Sequence, residues 1–402
     1  MKKTISIIGG GASALMLCCE LDSKKFTINI YEKNSALGRK FLVAGDGGLN
    51  LTHSESEENF ITRYTPSNFF KTALHHFSNK DFITWLSKHF IETFIGTSGR
   101  VFPKEGLKPI DVLNIFEDTI KNNNVGINFK HEWIGFTEKN ELKFKTPIGE
   151  TEIKSDYVIF CLGGASWPVT GSAGEWRNYF KEKDIAVVPF QASNCSFKIN
   201  WPKKIIRAIE GKPLKNISIK CDNKIHFGEV VITSFGIEGS GIYPLSHKIR
   251  NEINTLGVAK ICIDFKPLLS SEELLNRILN LKSTLSYTEK ISKELNLNKT
   301  QMVLLKSKLD KNDFLDPIKF VNNLKNFELD ISSLGSIEDA ISSVGGISLN
   351  EITDKFEFKK IKNYFVVGEM LDYDAPTGGY LLQSCFSMGN FLAHYLNNDD
   401  VN

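Results

Sequence analysis

The residues best placed to do chemistry come first in the chain. Ile5-Ser6-Ile7-Ile8 favours a strand, Gly9-Gly10-Gly11 a tight turn, and Ala12-Ser13-Ala14 with residues 15–21 a helix. That order builds a dinucleotide site. Gly9 permits the sharp turn, and Gly11, without a Cβ, lets a pyrophosphate approach the backbone. Ala14 replaces the third glycine of G-x-G-x-x-G and is still small enough for helix and strand to close up. Amides at the helix start face the phosphates. A second β-rich run, residues 26–31, ends in Glu32, about twenty residues past the glycines, where an acid binds a ribose 2′-hydroxyl. An ordinary glycine turn explains the glycines but not the acid at that offset. A secretory signal is the rival reading of the same stretch. It fails because only Ile5 to Ile8 are uninterruptedly apolar, and a signal core needs about seven to fifteen such residues.

Lys33 follows the acid, and Arg39-Lys40 places two adjacent cations where they neutralise a pyrophosphate or form a solvated basic turn. Residues 41–53 hold Gly45, Gly47 and Gly48, then Asn50, Leu51, Thr52 and His53. So many glycines exclude regular helix or strand, so the loop must lie close against something flat or phosphorylated.

Together these stretches resemble the BaiN/RdsA-type flavoproteins, whose string after the ribose acid runs G-R-K-x-x-x-S-G-x-G-R-C-N-x-T. Gly38, Arg39, Lys40, Gly45, Gly47, Asn50 and Thr52 match it. Ala44 replaces the serine and Gly48-Leu49 replaces Arg-Cys, so no proton-donor role of that cysteine carries over. Residues 99–103 are similar to the family's G-R-x-F-P, with Arg100 facing substrate or held in a structural ion pair. Residues 163–175 resemble G-G-x-S-Y-P-x-T-G-S-T-G-D, with Trp167 at the tyrosine and Glu175 at the aspartate. Residues 340–347 resemble A-x-V-T-x-G-G-V, and Asp372 to Gln383 resemble D-x-D-x-P-T-G-G-Y-N-L-Q. The match is close on both flanks and loose in the middle.

The resemblance implies an α/β fold of glutathione-reductase type. Its FAD-binding Rossmann domain combines a parallel sheet with a three-stranded antiparallel meander, and a β-rich insert with a helical cap interrupts it. The expected boundaries are 1–188 and 339–402 for the FAD domain, 189–266 for the β-rich insert and 267–338 for its helices. The resemblance assigns FAD to Gly9, Gly11, Ala12, Ser13, Ala14, Glu32, Lys33, Arg39, Lys40, Asn50, Leu51 and Thr52. Further contacts fall on the backbone near Trp133, on Leu162-Gly163-Gly164, on Gly368-Glu369, and on Gly378-Gly379-Tyr380-Leu381. A helix starting after Gly378-Gly379 would carry about half a positive charge, suited to negative charge on a reduced ring; a purely structural glycine turn is the local alternative. His53, Tyr380 and Asp372 are the candidate proton donors by position, each with a structural role as its alternative.

Periodicity predicts helices over 67–77, 80–89, 110–122 and 384–396. It predicts strands at 125–129, 133–137, 141–146, 151–153 and 157–162. No second strand-borne G-x-G-x-x-G occurs, so NAD(P)H, if it is the donor, visits the flavin directly. The seven cysteines are scattered without C-x-x-C, which argues against disulfide reduction and zinc and for a reducing cytoplasm; no metal site is expected. With 41% apolar and 24% charged residues and a net charge of +2, the 402-residue chain reads as soluble, without a membrane span. Residues 198–225 are the exception, carrying eight Lys or Arg against two acids. That is a solvated face or a contact for RNA. Three functions stay open: reduction of a C=C bond in a small molecule, dihydrouridine formation in ribosomal RNA, and a non-catalytic FAD redox sensor. Oligomeric state is not legible.

Overall fold

The structure, a computed structural model, describes residues 2–44, 48–281 and 285–398. Gly45 and Gly47 of the glycine loop lie outside the described residues. The chain forms two compact units, residues 1–192 with 341–402, and residues 193–340.

In the first unit, β1 (Lys3–Ile8) leads through the glycine turn into α1 (Ala12–Glu20) and β2 (Phe26–Glu32). Next come α2 (Arg39–Val43), β3 (Thr52–His53), α3 (Glu57–Ile61), α4 (Lys71–His76) and α5 (Asn79–Lys88). A reciprocal Ser78–Asp81 capping box starts α5. The strands β4 (Thr93–Ile95) and β5 (Arg100–Pro103) precede α6 (Pro109–Asn122), which has proline in its first turn, where a missing N–H costs nothing. After β6 (Gly126–Phe129) come β7 (Glu132–Phe136), β8 (Leu142–Thr146), β9 (Gly149–Ile153), β10 (Tyr157–Phe160), α7 (Arg177–Lys181) and β11 (Val187–Ser193).

The second unit runs β12 (Phe197–Lys198), α8 (Lys203–Ile209), β13 (Pro213–Cys221), β14 (Lys224–Ile232), β15 (Gly236–Glu238), α9 (Ser246–Leu256) and β16 (Ala259–Asp264). Five helices follow, α10 (Ser271–Leu279), α11 (Tyr287–Glu294), α12 (Lys299–Lys308), α13 (Lys311–Leu315) and α14 (Pro317–Lys325), before β17 (Phe327–Ile331) and β18 (Ser333–Leu334). Its strands make one seven-stranded sheet, ordered β17-β16-β13-β14-β15-β12-β18. The first unit resumes with β19 (Ser342–Ile347), β20 (Tyr364–Val366) and α15 (Tyr380–Asn398).

The first unit is built on a parallel sheet ordered β20-β10-β1-β2-β6. The chain leaves β1 toward β2 and later returns to its other side as β10. The carboxyl ends of β1 and β10 therefore form the switch point where α/β sheets bind ligands. The meander β7-β8-β9 is antiparallel, and Trp133 and Phe136 pack rings with Phe160 of β10 and Phe180 of α7. Helix α15 lies directly on α1 at Gly389, where a Cβ would stand 2.5 Å from the Ser13 carbonyl oxygen. Among the described residues, no helix is long and apolar enough to cross a membrane.

Three expectations need correction. Of residues 41–53, read as a loop, 41–43 belong to α2 and 52–53 to β3, and 96–103, read as a turn, supplies β5; β3 and β5 join β4 in a three-stranded sheet ordered β3-β5-β4. Strands of two to four residues are too short for an alternating pattern to register. The β-rich stretch contains α8 and α9, and the stretch expected to hold the helices, 267–338, also contains β17 and β18. Strand β17 alternates buried and exposed residues, Phe-Glu-Leu-Asp-Ile, beside β16. The last helix starts at Tyr380 rather than 384, because Gly379 is the last residue held at positive φ.

Candidate functional site

Three consecutive glycines open the site, and each has a different reason to be glycine. Gly9 sits at φ +97°, and a Cβ there would meet the Cys161 carbonyl oxygen at 2.6 Å. Gly10 faces Leu37, whose Cδ2 would be 2.5 Å from a Cβ, and its amide donates to Glu32 Oε2 at 2.8 Å. At Gly11 the protein sets almost no limit: the nearest atom to a Cβ is the Cys161 carbonyl oxygen, 3.9 Å away. Gly11 is exposed and is the N-cap of α1; it offers no side chain to the helix amides, and no acid stands in the first turn. Protein packing leaves the space before Gly11 open. Ala14 is fully buried, as close packing of α1 requires. Gly163, past β10, is likewise open, with Ser172 Cβ the nearest atom at 3.7 Å.

Glu32 organises this turn. Its Oε1 accepts from the Asn34 amide at 2.8 Å and from Asn34 Nδ2 at 2.7 Å, while Oε2 holds Gly10. The expected basic pair is committed differently from the sequence reading. Arg39 donates to Asn34 Oδ1 at 2.7 Å and to the Val169 carbonyl at 3.1 Å. Lys40 pairs with Glu369 Oε2 at 2.9 Å and donates to Ser166 Oγ at 2.6 Å. Lys33 is exposed. Glu369 is buried and also accepts from the Ser343 amide at 3.0 Å. Gly164 backs onto this pair, with Ser343 Oγ 2.1 Å from a would-be Cβ. Next to it Gly368, at φ +85°, lies on Ser13, whose Oγ would be 2.4 Å from a Cβ. Burial pushes the nearby Cys385 thiol up to about 11. The Leu162 amide donates to Met370 Sδ at 3.0 Å. Trp133 is buried among aromatic rings, and its Nε1 has no hydrogen-bond partner among the described residues.

The second glycine turn meets the loop that follows α2. Gly378 and Gly379 have φ +112° and +89°, and a Cβ at Gly379 would stand 2.6–2.8 Å from the Thr52 backbone. Asn50 Nδ2 donates to the Thr52 and Val101 carbonyls at 2.8 and 3.1 Å, leaving Oδ1 buried without a partner among the described residues. Thr52 Oγ1 is buried and, among the described residues, also has no partner, and Leu51 is fully buried. Leu381, in the first turn of α15, packs on the core.

Tyr380 stacks on His53, ring centroids 5.3 Å apart, and donates to Glu55 Oε1 at 2.6 Å. Burial and the Glu55 carboxylate push its phenol well above the ordinary value. Glu55 is held bidentate by Arg63, at 2.6 Å from Nη2 and 3.0 Å from Nε. Burial alone would raise its carboxyl; bonds from Arg63 and Tyr380 outweigh that and lower it. His53 Nδ1 accepts from the Glu55 amide at 3.2 Å and Nε2 faces the Ser98 carbonyl at 3.0 Å, which selects the Nε2–H tautomer. Asp372 lies on another segment, its amide donating to the Ile347 carbonyl at 2.9 Å. The fold thus unites His53 and Tyr380 and holds Asp372 on the chain segment between β20 and α15. Sequence reading missed Glu55, Arg63, Ser166, Ser343 and Gly389. None stands at a spacing that signals its partner.

The two glycine turns stand at helices that pack directly on each other, α1 and α15. Gly389 touches the start of α1, and Gly379 lies ten residues earlier, about 15 Å along the axis of α15 at 1.5 Å per residue. Open, uncapped amides stand at the first turn, and beside the second lie two buried oxygens, Asn50 Oδ1 and Thr52 Oγ1, with no partner among the described residues. An elongated ligand with an anionic middle and a polar ring fits that arrangement.

The profile of the HI0933-like protein Rossmann domain matches residues 3–395. A ribosomal RNA dihydrouridine synthase of Haemophilus influenzae is 23% identical over 389 residues, 95% of each chain. The protein of the same name from Escherichia coli is 22% identical over 395 residues, 96% of each chain. A 3-dehydro-bile acid delta(4,6)-reductase of Clostridium scindens is 22% identical over 413 residues, 96% of this chain and 97% of the relative. Among solved structures, the open conformation of a flavocytochrome c3 fumarate reductase superposes with a TM-score of 0.50 at 10% identity, over 98% of this chain and 77% of that one, a likeness of fold alone.

Proposed function

The chain belongs to the HI0933-like family, and on that premise we propose that it is an FAD-dependent oxidoreductase passing hydride from NAD(P)H to a polarised carbon–carbon double bond. One observation carries the reading: the open glycine turn of α1 and the glycine turn of α15 sit on two helices in direct contact at Gly389. When bound, FAD would supply the two-electron redox chemistry. Gly11 and the first amides of α1 would hold its pyrophosphate, and Glu32 its ribose through the lone pairs not used by Gly10 and Asn34. Gly163, Gly368 and Glu369 would line the connecting chain, with Lys40 balancing Glu369. Asn50, Thr52 and the Gly378-Gly379 backbone would meet the ring. Helix α15 has no acid in its first turn, so its amino end favours negative charge there. Tyr380 keeps its proton at neutral pH and holds it toward Glu55; proton delivery falls to Tyr380, His53 or solvent.

The purified protein should be yellow, with oxidised-flavin absorbance that NADPH bleaches without air and that an enone or RNA acceptor restores. A colourless protein that takes up no FAD rejects the reading.

A second reading names the acceptor as uracil in ribosomal RNA. Two relatives carry that name. All eight cations among residues 198–225, from Lys198 to Lys224, are exposed on the second unit, where Lys203, Lys204 and Arg207 sit on α8. Dihydrouridine in ribosomal RNA of a deletion strain, compared with its parent, decides it: loss at one site supports the reading, and no change at any site removes it.

A further inference from the structure

The small sheet β3-β5-β4 carries a second kind of site. His53 stands opposite Arg100, and Phe94 opposite Phe102. Arg100 and Phe102 are two residues apart on one strand, so all four side chains share one face. Between them Val101 points the other way and is fully buried, so the shared face is the outer one. Phe94 and Phe102 stack with centroids 5.6 Å apart, and Phe94 is 49% exposed. Gly96 makes room for that stack: a Cβ there would stand 3.1 Å from the Phe102 ring.

Arg100 is the unusual member. Arg63 is neutralised by Glu55, whereas among the described residues the Arg100 side chain makes no hydrogen bond or ion pair. Its Nε stands 3.6 Å from the position a Cβ would take at Gly378. Arg100, half-buried as a residue, thus sets its Nε against the turn that starts α15, next to the His53–Tyr380 stack. Among the described residues no carboxylate claims this cation, so it is available to an anion or to a developing negative charge.

We propose that this face binds the acceptor, a planar conjugated carbonyl compound, with its ring on Phe94 and Phe102 and its carbonyl oxygen at Arg100. The inference rests on the reductase reading above. Hydride originating in NAD(P)H adds to the β carbon of the double bond, and the π electrons move onto the carbonyl oxygen, where Arg100 holds the enolate. A proton from Tyr380, His53 or solvent then reaches the α carbon, and the saturated carbonyl leaves. A uracil ring and a cyclic enone both meet this description.

The test uses Arg100→Met, Arg100→Lys and Phe94→Ala holoproteins. Para-chlorophenol, whose phenolate is a flat ring with an oxyanion, is titrated against the flavin absorbance. Turnover is followed with 2-cyclohexenone and with ribosomal RNA from a deletion strain. Arg100→Met should weaken para-chlorophenol binding at least about tenfold and lower acceptor kcat/KM about a hundredfold, the loss typical of an oxyanion donor. Bleaching by NADPH should keep its rate, Arg100→Lys should recover part of the loss, and Phe94→Ala should raise KM with little change in kcat. Turnover of the enone alone assigns a small molecule, and of RNA alone a nucleobase; either supports the site. A yellow, NADPH-reducible Arg100→Met protein with unchanged para-chlorophenol affinity overturns the proposal, as does a parent holoprotein that does not bind the phenol. A colourless protein removes the flavin reading and this proposal with it.

Discussion

Neighbouring glycines can be glycine for opposite reasons, and the first turn separates them. At Gly10 a side chain collides with Leu37 inside the protein, so Gly10→Val should lower stability by about 1–3 kcal/mol, the range for overpacking. At Gly11 the backbone is extended, φ −83°, and the space is open, so Gly11→Val should change the unfolding midpoint little, by about 1 kcal/mol at most for an altered N-cap. It should nonetheless abolish FAD uptake. Denaturant melts and flavin titration of both variants check this, and a Gly11→Val protein that still binds FAD contradicts the assignment. The G-x-G-x-x-A pattern and the acid at residue 32 were legible from the chain alone. The partition of duties was not, because the Leu37 contact joins residues that no motif links. The cysteines show the same limit. Their lack of C-x-x-C was visible, but not that burial raises the Cys18, Cys161 and Cys385 thiols. With Cys385 near 11, only about one in a thousand is thiolate at pH 8, so iodoacetamide should leave these three unmodified in the native protein.

At the scale of elements, α15 links the two turns, and its contacts are backbone-close at both places. Gly389→Val drives a side chain into the Ser13 carbonyl and should loosen α1 from α15, at a cost of about 1–3 kcal/mol. FAD affinity should fall with it, because the amides of α1 move. The Glu55–Arg63–Tyr380 cluster adds a pH dependence. Glu55 has a lowered carboxyl in the folded protein. Its contribution is therefore complete above the unfolded carboxylate value, about 4.3, and is lost as pH falls through the folded value. The parent Tm should accordingly drop more steeply between pH 6 and pH 3.5 than that of Glu55→Gln, which lacks the charge; equal slopes contradict the linkage. Long, periodic elements such as α6 and the meander were readable because many residues vote for one period. The β3-β5-β4 sheet was hidden, since its strands hold two, four and three residues and its register exists only in three dimensions. That sheet carries His53 and Arg100, so the two residues were legible as candidates while the face they share was not.

At the scale of the molecule, the sequence is nearly neutral while one unit carries a local excess of charge, and only the second fact bears on partners. The cations at 198, 203, 204, 207, 212, 215, 220 and 224 are all exposed. Exposed Ile225 and Phe227 follow Lys224 on β14, and Ile225 stands opposite Lys220. Such a surface attracts phosphates through counterion release, which makes binding fall steeply with salt. Replacing Lys203, Lys204 and Arg207 together by Gln removes three exposed charges from α8 and leaves its buried Ile209 in place. If ribosomal RNA is the substrate, the variant should bind it more weakly, and the slope of log K against log salt should flatten by about 2–3 if all three side chains contact phosphate. NADPH oxidation with a small enone should be unaffected, because these residues belong to the second unit and the glycine turns to the first. An unchanged salt slope with unchanged affinity would assign the cations to solvation alone and leave a small molecule as the acceptor.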